Sequence, residues 1–352
     1  MGLGSALHHG AIALDRQLGG LALRLGERRD GLVTLLFHSL FRDPAEASSG
    51  ALSPQQATTV DDFAACIEHF LRAGYVAVTP EDLLTGVPRG QRSLLLTFDD
   101  GYWNNRRALP VLDHHRVPAL FFISAGHVRD GRAFWWDALY RLRRTQGLAE
   151  ADIQAELARR NLGATRENEA RVREEAGADA LQPRGDLDRP LTPEELREFA
   201  AHPRVRIGNH THGHAVLGAC SSEEVRRELA EAQTLLEAMT GHRPLAVAYP
   251  NGVHSPGIRA TARSVGLRLG FTTEAAKEYL PQALRGDHAF RLGRHTPVAG
   301  ADLAAQCLAF RSDLQISLRF TRAKKGLRRL LGRPAYGMDG QPVRASSPAR
   351  RD

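Results

Sequence analysis

The chain has 352 residues, 42% hydrophobic and 25% charged, with 33 glycines, 18 prolines and three cysteines. With a mean hydropathy of -0.33, this excludes collagen-like, low-complexity and disulfide-scaffold proteins and leaves room for two domains or one large α/β barrel. The net charge of +7 would suit nucleic acid or an anionic membrane, but from Ile316 onward ten Lys and Arg face only Asp339 and Asp352, a surplus of eight that leaves the rest one charge negative.

Met1 to Leu14 carries no Lys or Arg, is interrupted by His8-His9-Gly10 and lacks a small-residue cleavage site, so no secretory signal is expected. No uncharged apolar run approaches the roughly 20 residues of a membrane span. Residues 12–25 read as a Leu/Ala helix. Leu32–Phe37 is an apolar run ending in His38-Ser39. Thr59–Ala73 has helical periodicity, with Phe63, Ile67, Phe70 and Leu71 on one face. Ser93–Phe98 is a second strand, ending in Asp99-Asp100-Gly101. A helix over Arg106–His115 leads to a buried strand, Ala119–Ile123.

Residues 131–190 are charged and helix-prone, opening with Phe134-Trp135-Trp136 and closing near Pro183 and Pro190. They read as a helical insertion between two strands. Val205–Gly208 then runs into His210, and Ser222–Met239 is an amphipathic helix with a serine cap. Leu245–Ala248 leads into Tyr249-Pro250-Asn251-Gly252, and a helix over Pro256–Val265 precedes a strand at Leu269–Thr272. Continuous apolar strands alternating with helices predict parallel strands covered by helices, with function at the strands' C-terminal ends. Those ends carry His38, Asp99, Asp100, His210 and the 249–252 turn.

Two groups point to a divalent metal. One is Thr97-Phe98-Asp99-Asp100-Gly101. The other is His210-Thr211-His212-Gly213-His214, whose outer histidines stand i, i+4 and could share one side of a helical turn. Two imidazoles and a carboxylate with an open position form a usual catalytic zinc shell. Separately, each group has an ordinary reading as a surface pair or a cap. Together at strand ends they are far more specific.

On these motifs the sequence resembles a polysaccharide deacetylase of the NodB-homology type (carbohydrate esterase family 4) over about residues 30–300, apart from the 131–190 insertion. The resemblance implies a deformed (β/α) barrel of about seven strands. With the flanking segments read from their own patterns, the chain divides into an N-terminal helical segment over 1–30, a barrel over 31–312 and a basic amphipathic or disordered tail over 313–352. By the match, Asp99 corresponds to the general base, and Asp100, His210 and His214 to the ligands of one divalent metal. Zinc is the expected ion, with cobalt, nickel or manganese able to use the same ligands.

The Tyr249–Gly252 turn resembles an element whose backbone N–H, here at Asn251, stabilises the oxyanion. Many relatives take their acid histidine from a late L-x-H motif, but in Leu292-Gly293-Arg294-His295 the histidine stands one place too far. A circularly permuted branch carries it on the first strand, which assigns the acid to His38, with His295 as runner-up. The arginine that orients the base in relatives aligns with Ala248, leaving Arg294 to take over. His212 is expected to point away from the metal. Trp103, Trp135 and Trp136 are candidates for a sugar-stacking wall or for core.

The implied reaction is removal of the N-acetyl group from an amino sugar in a polysaccharide, oligosaccharide or lipid-linked precursor. Deformylation or other amide hydrolysis on the same scaffold, or a non-catalytic glycan-binding barrel, are the alternatives. Cys66, Cys220 and Cys307 are widely spaced and odd in number, so reduced thiols and a cytoplasmic protein are expected. In the tail, Phe320, Ala323, Leu327, Leu330 and Leu331 share a face largely opposite Arg322, Lys325, Arg328 and Arg329, which suits either a solvated terminal helix packed on the domain or a helix that lies on the inner membrane face. Nucleic-acid binding is not expected.

Overall fold

The computed structural model describes residues 3–161, 163–300 and 302–330. A long helix, α1 (Leu3–Leu25), precedes strand β1 (Gly31–Phe37). Helices α2 (Pro44–Ala47) and α3 (Val60–Arg72) lead to β2 (Tyr75–Ala77), α4 (Pro80–Thr85) to β3 (Arg92–Phe98), and α5 (Leu109–His115) to β4 (Ala119–Ile123). Five helices follow: α6 (Ala125–Asp130), α7 (Trp135–Thr145), α8 (Glu150–Arg160), α9 (Thr165–Ala176) and α10 (Pro193–Ala200). The chain continues through β5 (Val205–Asn209), α11 (Ser222–Thr240), β6 (Ala246–Ala248), α12 (Pro256–Ser264), β7 (Leu269–Phe271) and β8 (Glu278–Tyr279). It ends in α13 (Leu303–Arg311) and α14 (Ile316–Leu330).

The strands form one sheet in the order β7-β6-β5-β4-β3-β1-β8, with β2 also on β3. All pairs are parallel except β1 with the two-residue β8. Side chains alternate across each strand. Phe37 and Phe98 turn to the helix layer and meet Phe63 of α3 at 5.0 and 5.2 Å between ring centres. Leu36 and Thr97 therefore turn to the other side, the barrel interior. The segment Leu292–His295 bridges the two sides of the sheet: Leu292 pairs with Phe271 of the end strand β7 and His295 with Leu35 of β1, past the two residues of β1 that β8 covers. Its amides and carbonyls bond to Gly270, Thr272, Thr34 and Leu36, each at 2.8 Å. This seam completes the deformed barrel.

The region between β4 and β5 builds its own apolar cluster from Phe134, Trp135, Trp136, Leu139, Ile153, Leu157 and Val172, joined by Phe41, Leu52 and Tyr102 of the barrel. The N-terminal helix is bound to the C-terminal helices. Gly19 of α1 lets the backbones touch, since a Cβ there would stand 3.0 Å from Ala309 of α13. Asp15 accepts the Ile316 and Ser317 amides, both at 2.8 Å, capping α14. Buried Lys277 ties Asp313 (2.9 Å), the Arg311 carbonyl (2.6 Å) and Glu27 (3.4 Å) together. Residues 331–352 of the expected tail, Leu331 included, lie outside the described residues. No described helix is long and apolar enough to cross a membrane.

Candidate active site

Strand register sets the heart of the site. Leu36 pairs with Thr97 and Phe37 with Phe98, so His38 and Asp99, each two residues beyond an inward-facing partner, arrive together on the interior side. The Asp99 amide bonds the Phe37 carbonyl at 2.9 Å and holds that register to the strand ends. Gln56 Nε2 lies 2.8 Å from His38 Nδ1, which directs the other ring nitrogen, Nε2, to the pocket that His38 lines. With its amide turned over, Gln56 would instead accept from a protonated Nδ1, so one residue can hold the ring in either state.

Asp99 is buried and held by Arg294, itself fully buried. The guanidinium is bidentate, Nη1 to Oδ1 at 2.7 Å and Nη2 to Oδ2 at 2.8 Å, and its Nε donates to the Thr272 carbonyl at 3.0 Å. Such a fork fixes both position and plane of the carboxylate. Burial pushes the Asp99 carboxyl up, but the Arg294 guanidinium, by its charge and its two hydrogen bonds, holds it below the ordinary carboxylate range. The seam explains the geometry. Leu292 and Arg294 share the inward face, whereas His295, one residue on, turns out and stacks on Phe310 of α13 at 4.6 Å. Burial pushes the His295 imidazole down to about 3. It is a neutral core side chain outside the pocket, which removes it as an acid candidate.

Asp100, His210 and His214 are buried, with one possible ligand atom from each within 4.8 Å of the others. His210 Nδ1 bonds the Ala248 carbonyl at 2.8 Å, which leaves its Nε2 lone pair facing Asp100 Oδ1 at 3.4 Å. His214 Nε2 stands 3.4 Å from the same oxygen. Neither Asp100 oxygen accepts a hydrogen bond. A buried anionic group without donors is costly unless a cation meets it, so the three residues fit a divalent metal. Burial pushes His214 down to about 3, keeping it a neutral ligand.

The two histidines do not meet on a helical turn as expected. They converge through a loop in which Thr211 (φ 65) and His214 (φ 51) are left-handed, pinned where the His212 carbonyl accepts Gly126 N at 2.7 Å. Any side chain at Gly126 would lie 2.8 Å from His212. Asp100 (φ 78) and Asn251 (φ 55) are left-handed as well. Each such residue stores on the order of 1–3 kcal/mol, concentrated where the chemistry is.

A sequence profile of the polysaccharide deacetylase family matches residues 86–270, more than half of the chain. The chain belongs to that family. Its members are hydrolases of carbohydrate esterase family 4 that remove N-acetyl groups from glycans with a divalent metal, and the Asp-His-His group of this deacetylase is placed to hold one. The Streptococcus pyogenes deacetylase PplD in complex with acetate is similar at a TM-score of 0.53 and 17% identity, over 80% of this chain and 98% of that one. IcaB from Ammonifex degensii gives 0.52 and 22%, over 80% and 97%. BC0361, a polysaccharide deacetylase from Bacillus cereus, gives 0.55 and 15%, over 80% and 69%. These likenesses establish the fold. No curated protein sequence matches the chain.

The deacetylase pocket has a volume near 380 Å³ and is lined by His38, Asp99, Asp100, His210, His214 and Asn251 among others. Three sequence candidates lie elsewhere. Trp103 opens a tight 3₁₀ turn after Gly101 that carries its ring outward, against the Arg189 guanidinium at 5.2 Å. Tyr249 is fully buried in the apolar core, stacked on His254. Trp135 is buried in the insertion cluster. Trp136 reaches the pocket and packs edge-on against His214 at 4.6 Å. His212 faces away, towards Glu231, as the alternation within its motif suggests.

Sequence reasoning missed Gln56 and the helix α8, which with its C-cap contributes Gln154, Leu157, Ala158 and Asn161 to the wall. It also missed a network behind Trp136. The Trp136 indole donates to Tyr102 Oη (2.9 Å), Tyr102 Oη meets Asp137 Oδ2 (2.6 Å), and Asp137 Oδ1 accepts Ser53 N (3.1 Å). Burial pushes the Asp137 carboxyl up to about 8. Between its unfolded value near 4 and about 8, only the unfolded chain ionises there, so this group makes stability fall as pH rises through that window. Asp137→Asn is expected to flatten that fall, read as urea midpoints at the two ends of the range. An unchanged pH slope would show that Asp137 is ionised in the fold.

Proposed function

We propose that Asp99 takes the proton of the attacking water and His38 protonates the departing amine of an N-acetylated amino sugar. The acetamide C–N bond breaks, the carbonyl carbon gains the water oxygen, and acetate and a free amine leave. The observation that carries this reading is the pairing at one pocket floor of two unlike carboxylates. Asp99 is clamped by Arg294, and Asp100 is free of donors beside two imidazoles. Held ionised, Asp99 is competent to accept a proton at neutral pH. His38 stands beside it on the neighbouring strand end with one nitrogen tethered by Gln56. We assign the Asn251 N–H to the developing oxyanion.

Asp100, His210 and His214 would hold the ion, for which the mixed carboxylate and imidazole set favours zinc. When bound it supplies Lewis-acid polarisation and a more acidic water. Acetate release from a panel of N-acetylated glycans and lipid-linked sugars is the test. Chelation should abolish release and zinc should restore it. Formate instead of acetate from N-formyl sugars would move the reading to deformylation, and release of neither would refute amide hydrolysis.

A membrane-linked precursor is the substrate we favour, met at the cytoplasmic face. Leu14, Leu21 and Leu25 of α1 are 41%, 57% and 89% exposed, and their spacing of seven and four places them on one helix face. Against α1 packs the basic helix α14, whose Arg322 reaches Glu274 at 3.1 Å, next to the pocket residue Thr273. The protein should sediment with phosphatidylglycerol vesicles and not with phosphatidylcholine ones. Replacing the three leucines by serine should lower that binding at least tenfold. Failure to bind either vesicle would remove the membrane from the proposal.

A further inference from the structure

The walls of the pocket close on themselves. In the loop after β1, the Gln56 carbonyl accepts Ala299 N at 2.9 Å, and Ser53 N donates to Asp137 of α7 at 3.1 Å. Helix α7 packs on α8. Gln154, Leu157, Ala158 and Asn161, at spacings of three, one and three, put one side of α8 and its C-cap against the pocket. From there the Asn161 carbonyl accepts the Asn251 side-chain amide at 2.6 Å, joining the insertion to the turn after β6. Thr273 Oγ1 meets the Asn251 carbonyl at 3.5 Å. The Glu274 carbonyl accepts Arg294 N at 2.9 Å, and the chain from the seam returns to Ala299. Each segment of the rim is thus joined to the next by a hydrogen bond, by packed helices or by the chain itself.

A groove that binds the interior of a polymer must be open at two ends, so that the chain can continue on both sides of the reacting residue. A closed rim offers one mouth. We propose that this is a blind pocket that accepts a single N-acyl amino sugar at a chain end or on a carrier, and rejects residues inside a polymer. The inference rests on the deacetylase reading and names its substrate class. A volume near 380 Å³ lies towards the lower end of the ~300–1,000 Å³ span of small-ligand sites, as suits one ring with its acyl group. Gln154 and Asn161 flank apolar Leu157 and Ala158 along the α8 wall, which matches a sugar's polar edges and apolar face.

The test uses the full-length, zinc-loaded protein with N-acetylated monosaccharides, pyrophosphate-lipid-linked N-acetyl sugars and uniformly N-acetylated tetrasaccharides. Tandem mass spectrometry locates each free amine. Release from single or carrier-linked sugars, and from only one terminal residue of each tetrasaccharide, is expected. Free amines at interior residues, formed as fast as at the ends, would overturn the blind pocket while leaving the deacetylase reading intact. No release from any member, with zinc bound, would overturn both.

A second variant tests the wall itself. Ala158 is an exposed helical position, so Ala158→Trp should fold and bind zinc as the parent does. Its kcat/KM on the best substrate should fall at least tenfold. Unchanged kcat/KM would show that α8 does not bound the bound sugar.

Discussion

Arg294→Met is expected to cost about 3–5 kcal/mol of folding stability, because it leaves the buried Asp99 carboxylate without its partner. Urea denaturation of the metal-free protein measures the loss. Activity should fall with it, since the fork that sets the plane of the carboxylate is gone. Arg294→Lys separates charge from geometry. An ammonium keeps the positive charge but cannot span both Asp99 oxygens while also donating to Thr272. It should recover part of the stability and little of kcat. Full activity in Arg294→Met would remove Arg294 from the positioning of the base.

Asp99→Asn should lower kcat by about 10²–10⁴-fold, the usual contribution of a general base. Zinc stoichiometry should be unchanged, because Asp100, His210 and His214 form the metal group without it. The variant leaves the buried guanidinium facing an amide, so stability should fall as well. Combining it with Arg294→Met removes both charges. The double variant should then lose less stability than the two single losses together, with a coupling on the order of 0.5–3 kcal/mol. Additive losses would mean that the pair is not coupled in the fold. Hydrolysis at the parent rate by Asp99→Asn would end its assignment as base.

The sequence made the reacting groups legible because they follow apolar strands. Asp99, Asp100, His210 and Asn251 all stand just past a run that has to be a buried strand, and a parallel barrel gathers such ends. Arg294 could be proposed from its place near a late motif, but the reason it works is parity on the seam, which four residues are too short to reveal by periodicity. The same parity puts His295 in the core. Trp103 and Trp136 are alike as residue types, and only a tight turn after Gly101 and the docking of α7 decide which one sees the pocket.

Gln56 was hidden for a different reason. It lies in an irregular loop between Gln55 (φ 45) and Ala57 (φ 51), residue types that give no sign of a left-handed backbone. The face of α8 was hidden because its helical pattern serves two neighbours. Leu157 belongs to the insertion cluster and also lines the pocket.

The seam has one more consequence, for the order in which the molecule becomes active. Arg294 is carried by the last piece of chain to join the sheet, between a strand near the start and one some 230 residues later. Until those distant edges meet, Asp99 has no counter-ion and no fixed plane, however well the individual strands are formed. Return of hydrolysis during refolding therefore reports barrel closure, and should lag behind the recovery of helical circular dichroism.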